Sequence, residues 1–257
     1  MLKHSTPAGS RKRGPGRSLH FSAAEEIGSR ILRGDYAPGE LLPNEAEWCK
    51  RLRMSRSAVR EAMKMLMAKG LVTARPKVGT RVEPREHWNL LDRDVLVWYI
   101  AAPDRERFLR SVQEMRRIFE PEAAAMAALH RSAEQMASIT AACQNMGTAT
   151  TVESRIEADV RFHLAVLHAA GNEFLVPFGS LIESALATVF DFATRRAGTR
   201  HAQSLHEDIE IAIRRQRPDA ARRAVLRLLA DTDDVISQAA SSTPQRRAGT
   251  RQRRAAG

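Results

Sequence analysis

The sequence predicts a mainly α protein in two folded parts. An amino-terminal three-helix unit is closed by a short β-hairpin, and an all-α helical bundle follows it. Three observations predict this. Apolar residues recur at helical spacing from about Ser22 almost to the end, and only Leu71–Arg75 and Thr80–Glu83 read as extended. Aromatic residues make up only 5% of the chain while Ala and Arg are abundant, which suits helices better than sheets. The charge is also unevenly divided, residues 19–83 being net basic and residues 84–242 net acidic.

The two ends stand apart from both parts. Residues 1–18 hold Lys3, Arg11, Lys12, Arg13 and Arg17 and no acid; residues 243–257 hold Arg246, Arg247, Arg251, Arg253 and Arg254 and no acid. They account for ten of the eleven net positive charges, and segments 1–18 and 241–257 read as a disordered basic arm and tail. A basic first part joined to a mildly acidic second one fits a DNA-binding module beside a module that does not touch DNA; tails that merely aid solubility would explain the ends alone. The two cysteines, Cys49 and Cys143, form no CxxC and no disulfide framework, so a reducing cytoplasm is expected. The opening segment has no apolar core and no run of 18 apolar residues occurs, so neither a leader nor a membrane span is expected.

In chain order, Ile27, Ile31 and Leu32 share one face of a first helix that should stop at Gly34. The turn-forming stretch DYAPGELLP comes next, and Pro43 is placed to open a short helix over Asn44–Arg51. Ser55 can cap a third helix running to Lys69, with Gly70 ending it. Two extended pieces with Pro76 and Gly79 between them complete the order of a winged helix-turn-helix, which places this domain at 19–83. Residues 84–91 (PREHWNLL) read as a linker, and 92–240 as the helical domain. Its helices are expected near 92–101, 104–130, 133–146, 152–170, 173–196, 202–216 and 219–237, broken at Pro103, Gly147, Gly171-Asn172, Gly198 and Pro218.

The third helix divides into two stripes. Val59, Ala62, Met63 and Leu66 form an apolar one, and Arg56, Arg60 and Lys64 a basic one with Ser57 on the same outer side. A helix buried on one face and basic on the other can lie in a major groove, where an Arg fork bonds guanine O6 and N7. An ordinary solvated charged face has the same pattern.

The run GDYAPGELLPNEAEWCKRLRMSRSAVREAMKMLMAKGLV…GTRV resembles the winged helix of the GntR family. Its marks are a PG-x-x-LP-x-E stretch, an SR-x-x-VREA-x-x-L stretch and a Gly-bearing wing. The resemblance implies DNA contacts from Ser55, Arg56, Ser57 and Arg60 and from the wing at Lys77, Val78, Gly79 and Thr80. Many relatives carry an Arg at the start of the second helix where this chain has Ala46, and commoner wing residues are replaced by Pro76 and Lys77.

In the helical part, Asp159 and His163 are i, i+4 and lie in the middle of an apolar arc about 200° wide made by Ile156, Val160, Leu164, Leu167, Phe162 and Val166. A buried carboxylate beside a buried imidazole needs a reason. A metal ion is one, and a self-satisfied Asp–His hydrogen bond or a partly solvated face is another. His206 stands beside the stripe Leu205, Ile209, Ala212 and Ile213, where a lone structural histidine is also common.

Residues 104–236 resemble the helical effector domain of the FadR-type subfamily, the FCD domain. The matching motifs are Glu114, Arg116, Glu120 and Pro121; Asp159, Phe162 and His163; Gly171 and Asn172; and His206, Ile209, Ala212 and Ile213. In metal-binding members an Asp and three His hold a divalent ion that meets the effector's carboxylate, often with help from the Arg. The resemblance thus implies Arg116, Asp159, His163 and His206 as effector-binding residues and the last three as ligands of a divalent metal, zinc first. The position of the fourth ligand is Leu228. That departure, with PREHWNLLDRDVLVWYI, resembles the galactonate-operon repressor branch and implies a sugar-acid effector. The expected molecule is a homodimeric repressor, since paired half-sites require two-fold symmetry. An enzyme is not expected, because no HExxH or nucleophile motif accompanies the Asp/His set.

Overall fold

The computed structural model describes residues 18–100, 105–184, 186 and 199–241. The chain divides into two compact units, Met1–Ala102 and Pro103–Gly257. Of the two basic ends, residues 1–17 and 242–257 lie outside the described residues.

The first unit contains α1 (Leu19–Arg33), α2 (Glu45–Leu52), α3 (Arg56–Ala68), β1 (Val72–Arg75), β2 (Gly79–Val82), a 3-10 turn (Arg85–His87) and α4 (Arg93–Ile100). Helix α1 begins before Ser22, at Leu19, and ends at Gly34 with φ 84°. Helix α2 starts at Glu45 rather than with Pro43. Asn44 caps it, its side chain accepting from the Glu47 amide while the Glu47 carboxylate accepts from the Asn44 amide, each at 3.0 Å. Ser55 caps α3 by accepting from Ala58 N–H at 3.3 Å. The apolar faces of the three helices meet in a core that includes Ile27, Ile31, Trp48, Val59, Leu66 and Val82. β1 and β2 pair antiparallel with Val72 opposite Val82 and Arg75 opposite Gly79.

The segment 84–91 is not the spacer the sequence suggests. Trp88 is buried and its Nε1 donates to the Glu83 carbonyl at 2.9 Å; Asn89 N–H donates to the Lys69 carbonyl at 3.0 Å. Gly70 has φ +70°, and a Cβ there would lie 2.1 Å from the His87 carbonyl oxygen, so only glycine fits under this crossing. Helix α4, expected to open the second domain, packs in the first unit. Val95 and Trp98 join its core, and a Cβ on Gly28 of α1 would lie 2.5 Å from the Trp98 ring. Lys69 Nζ ties the start of α4 down, at 2.7 Å from Asp92 Oδ1 and 2.8 Å from Asp94 Oδ2. Periodicity identified the helix but could not name the surface that covers it.

The second unit is a bundle of α5 (Arg105–His130), α6 (Ala133–Thr148), α7 (Val152–Ala169), α8 (Thr199–Arg214) and α9 (Pro218–Ser241). Helix α5 packs on α9 and α7, α6 on α7 and α8, and α8 on α9. Ser132 with Gln135 and Thr151 with Ser154 form the capping boxes that start α6 and α7. The continuous helix expected over 173–196 opens instead as a 3-10 segment, Glu173–Phe178. Asn172 caps it by accepting from Phe174 N–H at 3.1 Å, and Pro177 within it has no N–H to give. Residues 179–184 are helical, and 187–198 lie outside the described residues.

Candidate DNA-reading face and candidate effector site

The anticipated DNA contacts form an exposed set on the first unit. Ser55, Arg56, Ser57 and Arg60 are exposed at the beginning of α3, whose opposite face, Val59, Ala62, Met63 and Leu66, is buried. That order brings the amino-terminal end of a basic helix to the surface, the end that reaches base edges in helix-turn-helix proteins. The Ser55 and Ser57 hydroxyls are 3.0 Å apart. Arg60 is held at both nitrogens by Glu45 of α2, Nε 3.4 Å from Oε1 and Nη2 3.3 Å from Oε2. Arg56 has no such partner among the described residues. In the wing, Lys77, Val78 and Gly79 are exposed and Thr80 half-buried. Lys77 (φ 63°) and Gly79 (φ 103°) make the left-handed turn between the strands. The wing is tied to the segment before α2: Leu41 bridges to Arg81, and Arg81 Nη1 donates to the Gly39 carbonyl at 2.9 Å.

The second unit treats polar groups in the opposite way. Asp159 and His163 on α7 and His206 on α8 are each at most 5% exposed, and one ligand atom from each falls within 4.8 Å of the others. Asp159 Oδ1 is 3.0 Å from His206 Nε2 and 3.3 Å from His163 Nε2. Nδ1 of His206 meets the Ala202 carbonyl at 2.7 Å, which turns Nε2 toward Asp159. These are charge contacts without hydrogen-bond alignment, since Asp159 Oδ1 and His206 Nε2 are buried without a hydrogen-bond partner. The residues therefore fit a divalent cation, with two imidazole nitrogens and a carboxylate oxygen converging and the atoms of Asp159 and His206 unpartnered. Leu228, at the sequence position of the expected fourth ligand, is buried in the apolar core that also holds Phe162 and Ile209.

Arg116 lies in the same buried network but not where the sequence suggests. Its Nε donates to Glu120 Oε1 at 2.5 Å and its Nη1 to Gln113 Oε1 at 2.9 Å. Glu120 Oε2 stands 2.9 Å from His163 Nδ1. A small cavity of about 10 Å³, room for about one water, is lined by Glu120 and His163 together with Ala123, Phe162, Val166, Leu167, Ile209 and Val225; Arg116, Asp159 and His206 are not among the lining residues. Glu120 belongs to a matching motif, yet the sequence alone assigns it no role at the site. Its i, i+4 spacing from Arg116 is the signal that pairs it with that buried cation.

The electrostatics are set by this packing. Burial alone would raise the Glu120 carboxyl, but Arg116 and His163 hold it down at about 2. Burial likewise opposes ionisation of Asp159, yet His206 and His163 hold its carboxyl well below the usual range. Burial would lower His163, and Glu120 and Asp159 outweigh it, raising it to about 9. The cluster is a polarised site with fixed acceptors, stabilised by the ions around it rather than by water.

Fold and site together define a winged-helix DNA-binding protein with a helical effector domain. The GntR family (bacterial regulatory proteins) matches residues 21–82 and the FCD domain matches residues 111–231. The chain belongs to the GntR family of transcription regulators, in its FCD-domain branch. It is 36% identical over 220 residues to the HTH-type transcriptional regulator YieP of Escherichia coli, across 84% of this chain and 95% of that protein. It is 35% identical over 209 residues to the galactonate operon transcriptional repressor of Escherichia coli, across 80% of this chain and 91% of that protein. Among solved structures it shares its fold with Lar, which controls the expression of the Listeria monocytogenes agr system. The TM-score is 0.60 at 18% identity, covering 88% of this chain and 99% of the other. Among the described residues no helix is long and apolar enough to cross a membrane.

Proposed function

We propose that this regulator is a cytoplasmic homodimeric repressor, released from its operator by a small sugar acid that binds at the Asp159–His163–His206 cluster. The observation that carries the reading is the convergence of these three buried residues, with Asp159 Oδ1 and His206 Nε2 lacking a hydrogen-bond partner. A domain that serves only to join DNA-binding units has no use for such a cluster, and its cost in burial is offset once a ligand completes it. The likeness to the galactonate operon repressor supports an aldonate as the effector class.

Asp159, His163 and His206 would hold a divalent ion, zinc first, and that ion would supply a Lewis-acidic receptor for the effector's carboxylate. With Leu228 at the fourth position, affinity for metal is lower than in a four-ligand relative. Arg116 supports the anion site from behind Glu120, and takes part in carboxylate binding only by relaxing its pair with Glu120. The role of the cluster is binding, not turnover.

On DNA, Ser55, Arg56, Ser57 and Arg60 would enter the major groove, with Lys77, Gly79 and Thr80 on the adjoining backbone. Met115, Ile118 and Leu129 form an exposed apolar stripe on α5, Ile118 being 68% exposed, which supports a dimer made through the helical unit. Effector binding favours a dimer geometry that no longer fits the operator.

A thermal-shift screen across sugar acids, with and without a chelator, tests the sensor. A stabilising aldonate whose effect falls on chelation is the expected result. His163→Ala should still bind operator but fail to release it when that acid is added. Release at the wild-type ligand concentration would place the effector elsewhere.

A further inference from the structure

The turn between α2 and α3 is closed by an arginine where the backbone favours glycine. Arg53 has φ 54° and ψ 44°, in the left-handed region, and its N–H donates to the Cys49 carbonyl at the end of α2. Glycine takes up left-handed geometry after α1, α3 and α7, at Gly34, Gly70 and Gly171, with φ of 84°, 70° and 73°. It does so freely, whereas a Cβ in this region crowds the backbone. Among the described residues only Arg53, Lys77 and Gln216 carry a side chain at positive φ. Two of the three are cations of the first unit, and Lys77 stands in the wing.

The Arg53 side chain is exposed and has no hydrogen-bond or ion-pair partner among the described residues. Other cations of this unit are tied down: Arg30, Arg33, Arg60 and Lys64 each have a carboxylate within 3.4 Å. Three residues separate Arg53 from Arg56, which keeps its Cα within about 11 Å of the amino-terminal end of α3. It lies between the two winged-helix motifs and belongs to neither.

We propose that Arg53 binds a phosphate of the DNA strand beside the groove that α3 enters, and that this contact is why a cation is kept in a strained turn. The inference rests on α3 as the DNA-reading helix and adds a backbone contact to it.

Folding alone does not account for the arginine. A cation suits the negative end of α2. That gain is smaller than the strain of a Cβ in the left-handed region, so for stability glycine is at least as good. An outlier of this kind, exposed beside a binding face, points to function. A duplex phosphate reverses the balance, because it gives the guanidinium a charge-assisted partner and releases a counterion from the DNA. A phosphate carries no sequence information, so the contact should act on every duplex alike.

The experiment titrates the full chain by fluorescence anisotropy against an operator selected from random duplexes and against an unrelated duplex of equal length. Salt is varied from about 50 to 200 mM. Arg53→Gly should melt at or above the wild-type temperature yet bind both duplexes about tenfold more weakly in low salt, the loss of one hydrogen bond to a charged group. Its log–log salt slope should be shallower by about 0.9, the contribution of one phosphate. Arg53→Lys should keep the wild-type slope. Wild-type affinity and slope in Arg53→Gly overturn the proposal. So does an equally shallow slope in Arg53→Lys, since charge is then not what the turn supplies. A loss confined to the selected operator overturns it in favour of a base contact. Should Arg53→Gly melt lower, Arg53→Asn replaces it, because asparagine tolerates the left-handed region. A lower melting temperature in both with an unchanged slope makes Arg53 structural and overturns the proposal. Wild-type binding by Arg56→Ala overturns the reading of α3 in the groove, and this inference falls with it.

Discussion

The two candidate sites place their charged side chains on opposite sides of the solvent boundary. In the first, Arg56, Arg60 and Lys64 stand in water on a helix whose other face is core. In the second, Arg116, Glu120, Asp159, His163, His206 and Glu210 are all buried. An exposed cation costs little to keep and is free to exchange water for phosphate or a base edge. A buried ion must be compensated at once, and here each is compensated by another: Arg116 by Glu120, Glu120 by His163, and His163 by Asp159. The DNA-reading face is therefore a set of solvent-exposed side chains, and the effector site is a buried, coupled network. Substitutions should separate the two.

The largest effect is expected in the network. Arg116→Ala leaves the buried Glu120 carboxylate without its guanidinium and should destabilise the helical unit by about 3–5 kcal/mol, as breaking a buried pair from one side does. Urea unfolding followed by far-UV circular dichroism measures it. A loss below about 1 kcal/mol would mean that solvent reaches the network and that it is not coupled as described.

On the exposed face the effect should fall on binding and leave stability alone. Arg56→Ala should weaken affinity by about 1–3 kcal/mol for an operator selected from random duplexes, with an unchanged unfolding curve. Fluorescence anisotropy gives the affinity. Equal binding by Arg56→Ala and the wild type would remove α3 from the groove.

Ser55 touches both kinds of behaviour, because its side chain caps α3 while lying exposed at the reading end. Ser55→Ala should cost about 1 kcal/mol of first-unit stability. Ser55→Asp should restore the cap yet weaken DNA binding by bringing an anion toward the phosphates. If Ser55→Asp binds DNA like the wild type, the hydroxyl does not face the backbone.

Lys69 is the buried cation of the first unit, and its effect is the smallest and visible only in alkali. Burial lowers its pKa, but Asp92 and Asp94 outweigh burial and raise it above the ordinary lysine value. The stability it contributes is fully present below that ordinary value and is lost as pH rises through the raised one. The wild type should therefore lose first-unit stability in strong alkali along a slope that Lys69→Met lacks. Parallel alkaline unfolding curves for the two proteins would show that the lysine is not tied to α4.

The sequence by itself determined the features that depend on near neighbours along the chain. The stripes of α3, the Ser55 cap, the glycine stop at Gly70 and the hairpin between Arg75 and Gly79 all come from spacing and turn chemistry within a few residues. So does the shared face of Asp159 and His163, one helical turn apart. Other features needed contacts between residues far apart in sequence. Nothing local shows that Trp98 buries against α1 and that Trp88 joins the same core, because an apolar side chain does not name its partner. Nothing local shows that His206, 43 positions beyond His163, turns its Nε2 to within 3.0 Å of Asp159. Arg116 was legible as a clamp candidate and its pair with Glu120 follows from their i, i+4 spacing, but the approach of Glu120 to His163 was decided by how α5 and α7 pack. Helical periodicity states which face is buried; only the packed bundle states which polar atoms are left without a partner.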